Sequence, residues 1–342
     1  MPLLESSPMH SNFSKKALFL VFLVILLFVL DLSLGSVKIP YAHIVKILIG
    51  GPSGESAWTT IVWDFRMTKA LTCLLAGSAL AVSGLLMQTL FRNALAGPDV
   101  LGLTSGASLA VSLIILGGVF STPNPWTIAL AASLGCAFVF LVVLAISHRL
   151  KDNASLLIIG LMIGAGTSSI VSVLQYLSKA EELQSYIIWT FGSLGGLNWT
   201  EIQVLSIILL SGTGIALRSV KPLNALLLGD NYAQSMGINL KKSRMLIIVA
   251  ACILTGGVTA FCGPIAFVGL AVPHLSKLLF NSNNHKILIP VVMLSGAALL
   301  LFCDIISQLP GSTQILPINA ITALIGAPVV IWIILRSKKI LI

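Results

Sequence analysis

The chain has 342 residues, of which 57% are hydrophobic and only 9% are charged, and its formal net charge at pH 7 is +9. An ordinary soluble domain carries about 25% charged residues, so the composition excludes that class. The positive charge does not form the basic face that nucleic-acid binding requires, because the Lys and Arg residues lie at the ends of apolar runs.

Apolar runs recur along the chain at the length of about 17 to 25 residues that an α-helix needs to cross a bilayer. Because backbone groups in lipid must be satisfied within the segment, such runs predict helices. The predicted fold is therefore all-α, a polytopic integral membrane protein with about ten transmembrane helices per subunit. The predicted spans are residues 17–34, 66–90, 98–119, 125–147, 154–178, 201–219, 243–262, 264–280, 286–306 and 317–335.

Basic residues are distributed unequally between the two sides of these spans. If the N-terminus is cytoplasmic, fifteen of the 20 Lys and Arg residues lie inside. Cytoplasmic loops are enriched in Lys and Arg, so both termini are predicted to be cytoplasmic. We expect a cytoplasmic tail over residues 1–16 and one transmembrane domain over residues 17–342. The inner residues are Lys15, Lys16, Arg92, Arg149, Lys151, Arg218, Lys221, Lys241, Lys242, Arg244, Lys277, Lys286, Arg336, Lys338 and Lys339.

The sequence lacks the motifs of catalysis, metal binding and nucleotide binding. The five cysteines lie in or beside apolar runs without a CxxC pair, so they are interpreted as small buried hydrophobic residues. The glycine-rich residues 51–56, GPSGES, lack the GK[ST] of a phosphate-binding loop. The span centres hold no Asp, Glu, Lys or Arg, whereas ion-coupled transporters keep such groups at mid-membrane. The energy for transport is therefore expected to come from outside this chain.

A short polar segment, residues 229–239, separates the sixth and seventh spans. Asp230 is predicted to cap a helix of under two turns by accepting from its free N–H groups, and Gly237 to end that helix in the left-handed conformation. Asn239 is predicted to cap a second helix that leads into span seven. A helix this short is marginal in water. The segment is either a capped turn or a docking element for a cytoplasmic partner.

Several motifs, in chain order, resemble those of one transport family. Residues 229–244, GDNYAQSMGINLKKSR, look like its coupling segment, GE-x-A-x-x-LG. Residues 65–109, FRMTKALTCLLAGSALAVSGLLMQTLFRNALAGPDVLGLTSGASL, contain counterparts of R-x-P-R, G-x-A-L-A-x-S-G and R-N-P-L-A-x-P. Residues 262–279, CGPIAFVGLAVPHLSKLL, and 315–336, ILPINAITALIGAPVVIWIILR, are similar to G-P-I-x-F-x-G-L-x-x-P-H-x-x-R and E-L-P-x-G-x-x-T-A-x-x-G-x-P-x-F. The chain resembles the permease subunits of type II ATP-binding cassette (ABC) importers for iron-siderophores, haem and cobalamin, the FecCD-like family.

The resemblance implies a set of partners. Two copies of the permease would form a homodimer in the bacterial cytoplasmic membrane, with the translocation path between them. Two cytoplasmic ABC ATPase subunits would hydrolyse ATP with Mg, and an extracytoplasmic substrate-binding protein would deliver the cargo. This chain is expected to bind no cofactor and to be no enzyme. Residues 221–244 would dock on the ATPase, and the implied coupling residues are Gly229, Asp230, Ala233, Met236 and Gly237.

Two cations on the predicted outer side break the inside-positive pattern. Arg66 and Lys69 are three residues apart and therefore lie on one helix face. The resemblance to R-x-P-R implies that they contact carboxylates of the binding protein, and the alternative is ordinary interfacial snorkelling. The chain departs from the family at Thr68 and Lys69, where the pattern has proline and arginine. It also has Gln308 where some members carry a third arginine.

Small residues are expected to let the spans pack closely, notably Gly77 and Gly84 in span two. The resemblance implies that span five lies along the translocation path, which makes Gly164 and Gly166 candidate gate or packing residues. An ion-coupled secondary transporter and a zinc or manganese ABC permease remain as alternative functions. The resemblance leaves iron-siderophore, haem and cobalamin open as the cargo.

Overall fold

Each predicted span contains a helix in the computed structural model, which describes residues 8–35, 37–50, 56–118, 124–147, 153–308 and 315–337. A π-helical turn, Ile61–Met67, leads into α4, and a 3-10 helix, Pro98–Leu101, precedes α5. The α-helices are α1 (Pro8–Ser33), α2 (Tyr41–Leu48), α3 (Ser56–Thr60), α4 (Thr68–Phe91), α5 (Leu103–Ile115), α6 (Pro125–Ser147), α7 (Asn153–Leu177), α8 (Ala180–Thr190), α9 (Trp199–Arg218), α10 (Val220–Leu226), α11 (Asp230–Ser235), α12 (Leu240–Cys262), α13 (Val268–Phe280), α14 (His285–Ser307) and α15 (Ile318–Ser337).

The all-α membrane fold is confirmed. Seven helices in the described part of the chain are long and apolar enough to cross a membrane. The predicted spans 98–119, 264–280 and 317–335 correspond to shorter apolar helices. Two of these begin late because the backbone before them turns into the left-handed region, at Gly102 and at Phe267. Such residues end or delay a helix regardless of how apolar the run is.

Helix α1 begins at Pro8, before the predicted first span, and the part of it that is long and apolar enough to cross a membrane is Phe13–Ser33. The ammonium group of Lys16 donates to the carbonyl of Leu279, 2.7 Å away near the end of α13. The predicted inner residues Arg149, Lys151, Lys338 and Lys339 lie outside the described residues. All five cysteines are buried free thiols, as predicted.

Helix α4 is the centre of the bundle, and α9, α12, α13 and α14 pack around it. Its glycines allow the backbones to approach as closely as predicted. A methyl group at Gly77 would lie 2.3 Å from the carbonyl oxygen of Gly296 in α14, and one at Gly84 would lie 1.6 Å from that of Gly269 in α13. Both contacts are with backbone atoms, which cannot rotate away. In lipid, where apolar surfaces gain little by meeting, this close packing supplies much of the helix association.

We predict that Gly84→Ala lowers the stability of the detergent-solubilised protein by at least about 2 kcal/mol, because the new methyl group forces α4 away from α13. The measurement is thermal unfolding followed by fluorescence-detected size-exclusion chromatography. Gly214→Ala in α9 is the matched control, since nothing lies within 4 Å of the added methyl group there. Equal unfolding temperatures for the two variants would show that the α4–α13 approach is not tight.

Candidate functional site

The polar segment, residues 229–239, folds into α11 and the N-cap of α12, and a further short helix, α10, lies between α9 and α11. Gly237 has φ 77°, so it ends α11 in the left-handed conformation as predicted. The side chain of Asn239 accepts from the backbone N–H of Lys242 at 3.0 Å, which confirms it as the cap of α12. The predicted capping role of Asp230 is wrong. Gly229, with φ 116°, occupies the N-cap position, and Asp230 is the first residue of α11.

The carboxylate of Asp230 instead lies between two arginines from distant parts of the chain. Arg92, just after α4, donates to Oδ1, and Arg244, in the first turns of α12, donates to Oδ2 at 2.5 Å. Arg92 also donates from Nε to the carbonyl of Leu226 at 2.9 Å, at the end of α10. Charge-assisted bonds of this kind are the stronger ones. They fix α11 to the ends of two long helices.

Sequence reasoning had placed Arg92 and Arg244 only among the inner basic residues and had missed their part in this site. Their contacts could not be read from spacing, because Arg92 and Asp230 are 138 positions apart. One signal was available. Arg92 opens RNALAGP, which is part of a motif that resembles the family pattern. A positively charged residue in a family motif outside the coupling segment was a reasonable partner for the carboxylate within it.

Helix α11 turns an apolar surface outward from the chain. Met236 is 59% exposed, Tyr232 49% and Leu228, just before α11, 66%. Tyr232 and Leu228 were not among the predicted coupling residues. Ala233 is fully buried, so its side chain packs inside the chain and is not available for contact with a partner. An exposed apolar patch rimmed by polar side chains is typical of a protein-binding surface.

The expectation that Arg66 is an exposed cation is wrong. Its side chain is only 7% exposed and points at the C-terminal end of α1. The guanidinium group donates to the carbonyl oxygens of Leu32 at 2.9 Å, Ser33 at 3.1 Å and Val37 at 2.5 Å. Carbonyls at a helix C-terminus lack partners within the helix and carry partial negative charge. Arg66 therefore satisfies the end of α1.

Lys69 also has a partner within the chain. Its ammonium group lies 2.8 Å from Oδ2 of Asp304, at the end of α14. Gln308 joins the same cluster, because its amide nitrogen donates to Asp31 at 2.9 Å and to Asp304 at 2.7 Å. Lys69, Arg66 and Gln308 line one cavity of about 350 Å³. Arg66 and Lys69 thus line the same cavity, and each of them also contacts an acceptor of its own chain.

The two candidate gate glycines of α7 occupy different environments. A methyl group at Gly164 would lie 3.4 Å from the hydroxyl of Ser105 in α5, which is ordinary contact. Gly166 is exposed, and a methyl group there would meet nothing within 4 Å. Gly164 therefore lies beside α5, whereas Gly166 belongs to the open face of α7.

The fold and the site together define a polytopic, all-helical membrane protein. Between its predicted sixth and seventh spans it carries a short helix, α11, with an exposed apolar surface. The model of the FecCD transport family matches residues 23–336, and the chain belongs to that family.

Individual relatives agree with this assignment. The chain is 35% identical over 277 residues to BtuC of Klebsiella pneumoniae, a vitamin B12 import system permease, covering 81% of this chain and 83% of BtuC. It is 34% identical over 326 residues to HmuU of Yersinia pestis, a hemin transport system permease, covering 94% and 96%. An inward-facing structure of a metal-chelate type ABC transporter superposes with a TM-score of 0.84 at 29% identity, covering 94% of this chain and 99% of that one. PsaBC from Streptococcus pneumoniae, with a TM-score of 0.53 at 12% identity, shares the fold alone.

We predict that Arg66→Gln destabilises the solubilised protein by about 3 kcal/mol, because buried carbonyls at the end of α1 lose their charged donor. Thermal unfolding measures this loss of stability. The control is Lys38→Gln, because Lys38 is exposed and lies in the loop between α1 and α2. A variant of wild-type stability that fails to bind the extracytoplasmic receptor would instead support the docking role for Arg66.

Proposed function

We propose that the chain is the permease subunit of an ATP-driven importer in the bacterial cytoplasmic membrane, moving an iron-siderophore, haem or cobalamin. The family match over residues 23–336 supports the transport role, and the relatives named above import vitamin B12 and hemin. Neither the ion-coupled transporter nor the zinc or manganese permease is favoured by these findings.

The observation that carries the proposal is the position of α11. Its apolar surface faces away from the chain while Asp230 joins it to α4 and α12 through Arg92 and Arg244. When another protein binds this surface and displaces α11, the ion pairs of Asp230 can transmit the displacement to α4 and α12. We assign this contact to a separate ABC ATPase, one for each permease, which binds and hydrolyses ATP with Mg. The permease itself then needs no cofactor.

A second permease copy completes the translocation path in this proposal. Helix α7 packs mainly against α5 and leaves most of its remaining surface exposed. The exposed residues of α7 include Gly166 and Ser169 together with apolar side chains such as Ile170 and Val173. A second copy would cover this apolar surface in the proposed dimer. Gly166 is the better of the two gate candidates, because it is exposed whereas Gly164 lies beside α5.

The orientation follows from the charges, with both termini cytoplasmic and α11 on the cytoplasmic side. The cavity lined by Lys69, Arg66 and Gln308 then lies on the outer side, where a binding protein docks. A carboxylate from that protein would approach Lys69, which is the less buried of the two cations.

We predict that replacing Asp230 and Gly237 together with alanine abolishes ATP-driven uptake while the protein stays folded in the membrane. The first change removes the carboxylate that the arginines hold, and the second strains a left-handed turn at φ 77°. Uptake is measured in cells that express the matching ATPase and receptor, with membrane insertion checked by immunoblot. Lys46→Ala in α2 controls for expression, and unchanged uptake in the double variant would contradict the coupling role.

We predict that Lys69→Gln slows association of the extracytoplasmic receptor about tenfold at low ionic strength, because the outer face loses a steering charge. Surface plasmon resonance at two salt concentrations measures the rate. The control is Lys69→Gln combined with Asp304→Asn, which removes the charge of both members of the ion pair. If this double variant regains the wild-type rate, Lys69 acts only through its internal pair.

A further inference from the structure

A buried histidine connects three helices beside the coupling segment. His285, the first residue of α14, is fully buried. Its Nδ1 lies 2.8 Å from Oδ1 of Asn224 in α10, and its Nε2 lies 2.8 Å from the hydroxyl of Thr89 in α4. The backbone N–H of His285 also donates to Oδ1 of Asn224 at 2.9 Å. One imidazole ring therefore bridges α10 and α4.

The neighbouring amide determines which ring nitrogen carries the proton. The amide nitrogen of Asn224 donates to Oδ1 of Asn284 at 3.0 Å, so its oxygen is the atom that faces His285. A carbonyl oxygen only accepts, which makes Nδ1 the donor in the neutral ring. Nε2 is then an acceptor, and the hydroxyl of Thr89 donates to it. A hydroxyl has one proton, so in this arrangement Thr89 does not donate to the carbonyl of Leu85, which lies 2.8 Å away in its own helix.

Helix α10 is thus held by the last turn of α4 at two points. Thr89 reaches Asn224 through the ring of His285, and Arg92 donates directly to the carbonyl of Leu226. Thr89 lies in the last turn of α4, and Arg92 is the left-handed residue that follows the helix. Two attachments fix the direction of α10 as well as its position. Only residues 227–229 separate α10 from α11, and the two helices pack against each other.

We infer that His285 is a positioning residue that transmits displacement of α10 and α11 to α4 through its bond to Thr89. This inference rests on the proposed function, in which an ATPase displaces α11. Without the ring, α10 keeps its contact with the start of α14 through the backbone N–H of His285 but loses the second attachment to α4. A displacement of α11 would then rotate α10 about Leu226 instead of moving α4.

The test separates transmission from simple stability by removing one hydroxyl. The permease is reconstituted in proteoliposomes with its cognate ATPase and receptor, and cyanocobalamin, haemin and a ferric hydroxamate are offered in turn. Thr89→Val has nearly the same shape but cannot donate to Nε2, whereas Thr89→Ser keeps the hydroxyl. Thr72→Val is the matched control, because Thr72 is an equally buried threonine of α4 that donates at 2.8 Å to Thr68 in its own helix.

We expect Thr89→Val to hydrolyse ATP and retain the ATPase like the wild type, while cargo accumulated per ATP falls about fivefold or more, the factor that one net hydrogen bond represents. Thr89→Ser and Thr72→Val should keep the wild-type ratio. His285→Asn, whose amide replaces Nδ1 but cannot reach Thr89, should behave like Thr89→Val.

Two results would overturn the inference. One is a wild-type ratio of cargo to ATP in both Thr89→Val and His285→Asn. The other is a parallel loss of hydrolysis, uptake and thermal stability, which indicates a purely structural bond. The proposed function fails separately, and takes the inference with it, if the wild-type permease neither retains the ATPase nor accumulates any of the three probes.

Discussion

The close approach of α4 to α13 and α14 is the constraint on which the rest of the structure depends. At Gly84 and Gly77 the facing backbones leave no room for a single methyl group. Contact at this distance maximises dispersion between helices, which matters most where lipid offers no hydrophobic gain for association. Closely packed backbones also shift between discrete arrangements more readily than they deform. Helix α4 is therefore suited to move together with its neighbours.

The two ends of α4 carry the polar groups through which such a movement would be received and transmitted. At one end Arg92 and Thr89 reach the segment that contains α10 and α11, and at the other end Lys69 reaches Asp304. The apolar middle lies between these ends, where an unpaired charge would be costly. A single helix thus links the surface assigned to the ATPase with the surface assigned to the receptor. Arg92 lies at the end of α4 that would receive a displacement from the ATPase, and Lys69 lies at the end that would change the surface assigned to the receptor.

The sequence predicts features that depend on neighbouring residues, and it does not predict contacts between residues that are far apart in the chain. Span positions follow from runs of apolar residues, and the turns at Gly237 and Asn239 follow from the conformational and hydrogen-bonding preferences of single residues. The burial of Arg66 depends on carbonyls at the end of α1, some thirty residues earlier in the chain. The partners of Asp230 depend on how α4 and α12 end beside each other. Such contacts are set by packing between helices, which no short sequence pattern contains.

The departures from the family pattern at Lys69 and Gln308 are best understood as one change. Both side chains contact Asp304, and Gln308 also donates to Asp31, so two buried carboxylates and two half-buried donors form one cluster. An ammonium group makes a compact single contact, whereas arginine offers a planar fork, and an amide donates without adding charge. Lysine with glutamine therefore supplies donors to both carboxylates with one formal positive charge instead of two. Because the donors share acceptors, the energetic effect of changing one of these residues depends on the identity of the others. The cluster of Lys69, Gln308, Asp31 and Asp304 has to be compared with its relatives as a whole, since comparison at single positions would treat coupled substitutions as independent.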